Sequence, residues 1–259
     1  MHDSHPARLQ LRFAAALSLG ILAPAASAAI LAITAASDAT LYEETSPSAT
    51  ANGAGEFLLA GRTNQASNSR RHSLIRFDLT ALPAGASISS ATLNLHLIAV
   101  NTTATTLGLH RVTTAWTEGP ADPAGNESSG VAASTGDTSW VSASQPGAPW
   151  TVPGGDALSP ASATAVVGSA AGLVSWSSPG MLADVESWIA DPAANFGWLL
   201  RDPETTPQTA KRFASSENAD PLLRPELVIE FTAVPEASTA WLLGTSVLLA
   251  CRRRRSHPA

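Results

Sequence analysis

The chain has one cysteine, one tyrosine and a single lysine, Lys211, in 259 residues. The cysteine, Cys251, lies in an apolar run near the end, so no disulfide can staple what precedes it. Without further cysteines, and with scattered histidines, no zinc pattern can form either. Cations are also scarce. Between positions 29 and 236 there are nine Lys or Arg against twenty Asp or Glu, a formal charge of −11. That balance argues against nucleic acid and against an anionic membrane surface as partners, and it suits a protein that stays soluble outside the cell. No Gly-x-Ser-x-Gly elbow, phosphate loop or Gly-x-Gly-x-x-Gly fingerprint occurs. Serines, histidines and acids are present, but no spacing singles out a triad or a glycosidase pair.

The two ends differ from the middle. Residues 1–28 carry Arg8 and Arg12, an apolar stretch from Phe13, and the small residues Ala26-Ser27-Ala28. This is the pattern of a secretory signal peptide with its cleavage site at Ala26 and Ala28; a short helical anchor is the alternative. Residues 233–259 hold Val234-Pro235-Glu236-Ala237, an apolar run, and Arg252, Arg253, Arg254 and Arg255. A helix over 240–251 would cover about 18 Å, short of a bilayer core of about 30 Å. Extended over 235–252 it covers about 27 Å, which crosses with slight thinning. The arginines would stay in the cytoplasm and the acidic domain outside.

Hydrophobic periodicity in the middle is that of strands. In the segment from His72, residues Ser73, Ile75, Phe77 and Leu79 share one face, and His72, Leu74, Arg76 and Asp78 the other. This predicts a half-buried strand. Ala91, Leu93, Leu95 and Leu97 alternate in the same way, as do Leu227, Ile229 and Phe231. Further strands are expected over 107–113, 196–201 and 211–215, with short ones around 138–141 and 172–176. One helix is expected over 178–190, where Met181, Val185, Trp188 and Ile189 recur at helical spacing behind Pro179. The predicted fold is all-β: an antiparallel, jelly-roll-like β-sandwich with one short helix over 38–232, a short linker at 29–37, and the two terminal segments.

An ordered series of short motifs runs through this domain. Asp38-Ala39-Thr40-Leu41-Tyr42 is followed by Leu74-Ile75-Arg76-Phe77-Asp78-Leu79, Ala115-Trp116-Thr117-Glu118-Gly119, Asn195-Phe196-Gly197-Trp198 and Leu223-Arg224-Pro225-Glu226-Leu227. The series resembles the DNRLRE domain family of secreted bacterial proteins, although the six-letter namesake motif is not present. The resemblance implies a carbohydrate-binding-module-like jelly roll, non-catalytic, with polysaccharide as its partner. The ends resemble those of a PEP-CTERM protein, with Pro235-Glu236-Ala237 in place of the usual Pro-Glu-Pro. That resemblance implies export through the Sec pathway and a transient stay in the inner membrane through 237–251. It also implies processing by an exosortase-type transpeptidase, leaving the protein at the surface or in the matrix of a Gram-negative bacterium. A permanent single-pass anchor is the other reading of the tail.

Three tryptophans of the loop-rich stretch, Trp116, Trp140 and Trp150, could stack on sugar faces or could pack inside. Arg62 and Arg76 could pair uronate carboxylates, or pair with the domain's own acids. Jelly-roll binding modules often hold a structural calcium, and Asp38, Asp137 and Asp156 are candidates for one, although no calcium-loop spacing occurs. The leading expectation is a surface or matrix protein that binds or organises polysaccharide. A ligand-free structural protein and a matrix-acting hydrolase are the alternatives.

Overall fold

The computed structural model describes residues 27–44, 49–83, 85–100 and 103–233, and for residues 99 and 100 the backbone alone. The strands, in chain order, are β1 (Ala28–Tyr42), β2 (Thr50–Ala51), β3 (Phe57–Arg62), β4 (Arg70–Phe77), β5 (Ser87–Val100), β6 (Thr105–Arg111) and β7 (Val131–Ala132). They continue with β8 (Ser142–Ser144), β9 (Ala148–Pro149), β10 (Ala163–Val167), β11 (Gly172–Ser177), β12 (Trp198–Arg201), β13 (Lys211–Ala214) and β14 (Glu226–Thr232). The helix α1 spans Pro179–Ala190.

The strands form two antiparallel layers. In the first, β5 pairs with β14 and then β13 along one edge and with β11 along the other. The first half of β1 adds to β14, and β3 adds to β13. In the second, β4 lies between the second half of β1 and β12, followed by β6 and β10. β1 changes sheets at an irregularity between Ala35 and Ser37. Residues 29–37, expected as a linker, are therefore sheet; the run Ala-Ile-Leu-Ala-Ile-Thr, 29–34, pairs with β14 and places Leu31 and Ile33 against the core.

Inward residues fill the space between the layers. Ile75, Phe77, Leu93, Leu95, Leu97, Leu109, Trp198, Phe213, Leu227 and Ile229 form one buried cluster, as the alternation predicts. Each such side chain contributes roughly 1.5–3 kcal/mol by leaving water. Ser178 caps α1 by accepting the Met181 N–H at 3.1 Å, Pro179 occupies the first turn, and Met181, Val185 and Trp188 join the same cluster.

The outer face of the second layer differs from expectation. Leu74 and His72 are buried, not solvent-facing. The stretch from 112 to 157 folds over them, so that Ala39, Leu41, Leu74 and Leu199 of the sheet meet Trp116, Trp140, Ala143 and Trp150 of the loop in a second apolar cluster. The segment expected as a strand at 138–141 is instead a turn, with β8 beginning at Ser142. Its backbone is held by side-chain and loop hydrogen bonds rather than by a long ladder. Among the described residues no helix is long and apolar enough to cross a membrane.

Candidate functional site

The covering loop decides the fate of the predicted aromatic platform. Trp116, Trp140 and Trp150 are only 3%, 5% and 5% exposed. Trp116 donates its indole N–H to the Phe196 carbonyl and Trp150 to the Ser139 carbonyl, both at 2.8 Å. Trp140 lies against the His72 ring, with centroids 4.6 Å apart. No indole face is left for a sugar, because these rings are what fastens the loop to the sheet. The two arginines are similarly engaged. Arg62 donates to Ser69 Oγ and to the Glu204 carbonyl, while Arg76 donates to Ser37 Oγ and sits over the Trp116 ring at 5.4 Å.

The three calcium candidates do not come together. Asp137 is fully buried and accepts from the Ala121 N–H at 2.9 Å, the Ser134 N–H at 2.6 Å and Ser134 Oγ at 2.9 Å. Asp156 accepts from the Thr151 and Val152 N–H groups and from Thr114 Oγ1. Burial opposes ionisation of Asp156, but those donors outweigh it and hold the carboxyl below its usual range. Each of these two acids organises its own turn. Asp38 has other company: one ligand atom from each of Asp38, Glu118 and Glu217 lies within 4.8 Å of the others. Burial, with the charges of Glu217 and Glu118, pushes the Asp38 carboxyl well up. Burial likewise raises Glu118 to about 7. Glu118 lies 80 positions from Asp38 and accepts from its N–H, and Glu217 follows Ser216, whose N–H donates to Asp38 across 178 positions, so no local spacing could have announced the group.

A cleft opens where the covering loop ends. On β6, Leu107 and Leu109 point into the core, which turns Thr106, Gly108 and His110 outward. Gly108 pairs across the ladders with Arg201 on β12 and Thr164 on β10. Gly108 is buried, and a Cβ there would meet His110 Nε2 at 3.0 Å and Ala161 Cβ at 3.2 Å, so the missing side chain is what lets His110 and Ala161 pack over this point of the strand. The resulting hollow, about 350 Å³, is lined also by Asp202, Pro203 and Glu204.

The acids in its wall are already occupied. Glu204, in a left-handed backbone conformation at φ 60, pairs with His72 Nε2 and with Arg70 Nε at 3.1 Å. Burial opposes its ionisation, but the His72 hydrogen bond and the charges of His72 and Arg70 hold it below the usual carboxylate range. Asp202 accepts from Thr209 Oγ1 and from the Glu204 N–H. His110 holds the Leu158 carbonyl through Nδ1 at 2.8 Å, and burial lowers its pKa. Arg201 makes no ion pair or side-chain hydrogen bond with any described residue. Its charge helps to hold Glu204 ionised, while its N–H groups are open donors in the cleft. Sequence reasoning missed this site. Alternation along β6 could have turned Thr106, Gly108 and His110 to one face, but only the strand order places Arg201 beside them.

The sorting residues Val234, Pro235, Glu236 and Ala237, the arginines Arg252–Arg255 and the cleavage residue Ala26 lie outside the described residues. Ala28 is the first residue of β1. No characterised protein matches the chain significantly. Residues 29–141 match the model of carbohydrate-binding module family 96, and this stretch spans β1 to β7, including the outward residues of β6. With that match on an antiparallel sandwich, the domain is carbohydrate-binding-module-like.

Proposed function

We propose that this chain is a non-catalytic polysaccharide-binding module and that the β6–β10–β12 cleft is where the glycan lies. The carrying observation is that Arg201, Thr164, Thr106 and His110 line one polar hollow of about 350 Å³ in which the N–H groups of Arg201 are uncommitted to any described acceptor. A hollow of that size admits a sugar ring. Arg201 can then donate two parallel hydrogen bonds to a uronate carboxylate or to vicinal hydroxyls. The surrounding polar residues suit hydroxyl-rich ligands better than apolar ones. The family match on 29–141 supports carbohydrate as the ligand class.

The test is a glycan array followed by calorimetry with the full chain, Arg201→Ala and Gly108→Val. Arg201→Ala should weaken binding about tenfold or more, the worth of one charge-assisted hydrogen bond. Gly108→Val should block it by pushing His110 and Ala161 into the hollow, and a thermal melt of the variant shows that it is folded. A blank array favours a ligand-free structural protein, and release of sugar from a polysaccharide mixture favours a hydrolase. Full binding by both variants would move the site elsewhere.

The export reading belongs to the same proposal. The N-terminal segment directs secretion, and the tail is a temporary anchor removed by an exosortase-type transpeptidase, leaving a matrix or surface protein. Mass spectrometry of material from the native host decides it, since residues 240–255 retained on the mature protein would refute processing. A structural cation is proposed at Asp38 with Glu118 and Glu217 rather than at Asp137 or Asp156; three carboxylate oxygens from separate segments are a calcium-like donor set. Calcium should raise the midpoint of thermal unfolding of the full chain, and Glu217→Gln should abolish that rise.

A further inference from the structure

Among the described residues, one strand edge in the sandwich lacks protection. The first half of β1, residues 28–34, hydrogen-bonds to β14 on one side and to no described strand on the other. Natural edge strands are short, charged, interrupted by proline or bulged. This one has none of these over seven paired residues: Ala-Ala-Ile-Leu-Ala-Ile-Thr holds no charge, no proline and no irregularity before Ala35. Its outward face exposes Ile30 at 70%. Its inward face carries Ala29, Leu31 and Ile33, which touch the core yet remain only partly buried. Core-facing positions of the neighbouring β14 and β5, such as Leu227 and Leu93, are fully buried. The described residues thus leave the end of the inter-sheet core half covered at this edge.

We infer that this edge pairs with the same edge of a second copy of the chain, antiparallel about a two-fold axis near Leu31. The occupant follows from the strand's own pattern. Antiparallel pairing about Leu31 sets Leu31 against its equivalent and Ala29 against Ile33 of the second copy, a large–large contact flanked by small–large ones on the core side. On the outer side it sets Ile30 against Ala32. Every side chain facing another across the axis is apolar except Thr34, which meets Ala28, so no charge is buried and none repels. The Ala35 N–H donates toward Pro225 beside β14. Regular alternation then leaves the N–H and C=O groups of Ala28, Ile30, Ala32 and Thr34 pointing to the free side, in register for two-fold exchange. The nearest acids, Glu226 and Glu230, lie one strand away on β14 and pair with Thr34 and Ile30, outside the contact. A two-fold interface of this kind is isologous and closes at two copies.

The inference is independent of the cleft, which lies on the other layer. Sedimentation velocity of the full chain in mild detergent, up to about 1 mM protein, is the test. It is compared with Ile30→Lys/Ala32→Lys and with Ile30→Glu/Ala32→Glu, which alter only outward-facing positions. The wild type should dimerise, each double variant should be monomeric through like-charge repulsion, and an equimolar mixture of the two variants should recover a dimer. Recovery on mixing shows that both variants are folded. A wild type that stays monomeric throughout, or dimers that survive in both double variants, would overturn it.

Discussion

Asp137→Asn isolates what holds the covering loop to the sheet. The substitution keeps volume and shape, so no cavity contributes. Asp137 accepts three hydrogen bonds with no exposure to solvent, one on Oδ1 and two on Oδ2. An asparagine can keep one oxygen toward the Ala121 N–H, but its amide nitrogen then faces the Ser134 N–H, donor against donor. The Ser134 hydroxyl can rotate to accept; the backbone N–H cannot. Two bonds to a charged acceptor are lost, at about 1.5–3 kcal/mol each, with partial recovery from the hydroxyl. The expected loss is about 3–5 kcal/mol, a large share of a typical total of about 5–15 kcal/mol. Urea unfolding followed by tryptophan fluorescence reads it, because Trp140 and Trp150 sit in the same loop cluster. Amide exchange at 134–145 should accelerate before global unfolding. A loss below about 1 kcal/mol would mean the loop does not depend on this carboxylate. A loss that vanishes when calcium is chelated would return Asp137 to the role of metal ligand.

Phe77→Ala should cost roughly 3–5 kcal/mol, since Phe77 is buried edge-on to Trp198 in the inter-sheet cluster, and calorimetric unfolding measures it. Arg76→Ala should cost about 1–2 kcal/mol, more than a surface ion pair, because it loses the Ser37 hydrogen bond and its seat over Trp116; equal losses at 76 and 77 would contradict the register. Without added cation, stability should fall as pH rises from the ordinary carboxylate range to about 7; Asp156 and Glu204, held below that range, act in the opposite sense only at lower pH. Burial raises the carboxyl pKa of Asp38, Glu118, Glu44 and Glu127, so the folded state binds those protons more tightly, and the stabilisation is lost from the ordinary carboxylate range up to about 7 for Glu118. Glu118→Gln should flatten that slope in a series of thermal melts, and an unchanged slope would remove Glu118 from its cause.

The layered β architecture was legible in the sequence because period-two alternation is a local property. Ile75 with Phe77, Leu93 with Leu95 and Leu97, and Leu227 with Ile229 face the core as their spacing requires. The helix was legible for the same reason, from Pro179 and the phase of Met181, Val185 and Trp188. What alternation cannot specify is whether the opposite face meets water or a loop. His72 and Leu74 alternate like surface residues, and only the long-range fold of 112–157 buries them under Trp116, Trp140 and Trp150. The same event turned three candidate sugar platforms into packing. The cleft depended on strand order: Gly108 and Arg201 are 93 positions apart and become neighbours because β6 pairs with β12. Asp38 was visible as an acid near a strand, but its partners Glu118 and Glu217 were not, since each approaches from a different loop. Composition and periodicity set which faces can be buried; pairing across the sheets decided which residues of different strands share a surface, because hydrogen-bonded register is a property of two chain segments and is written in neither alone.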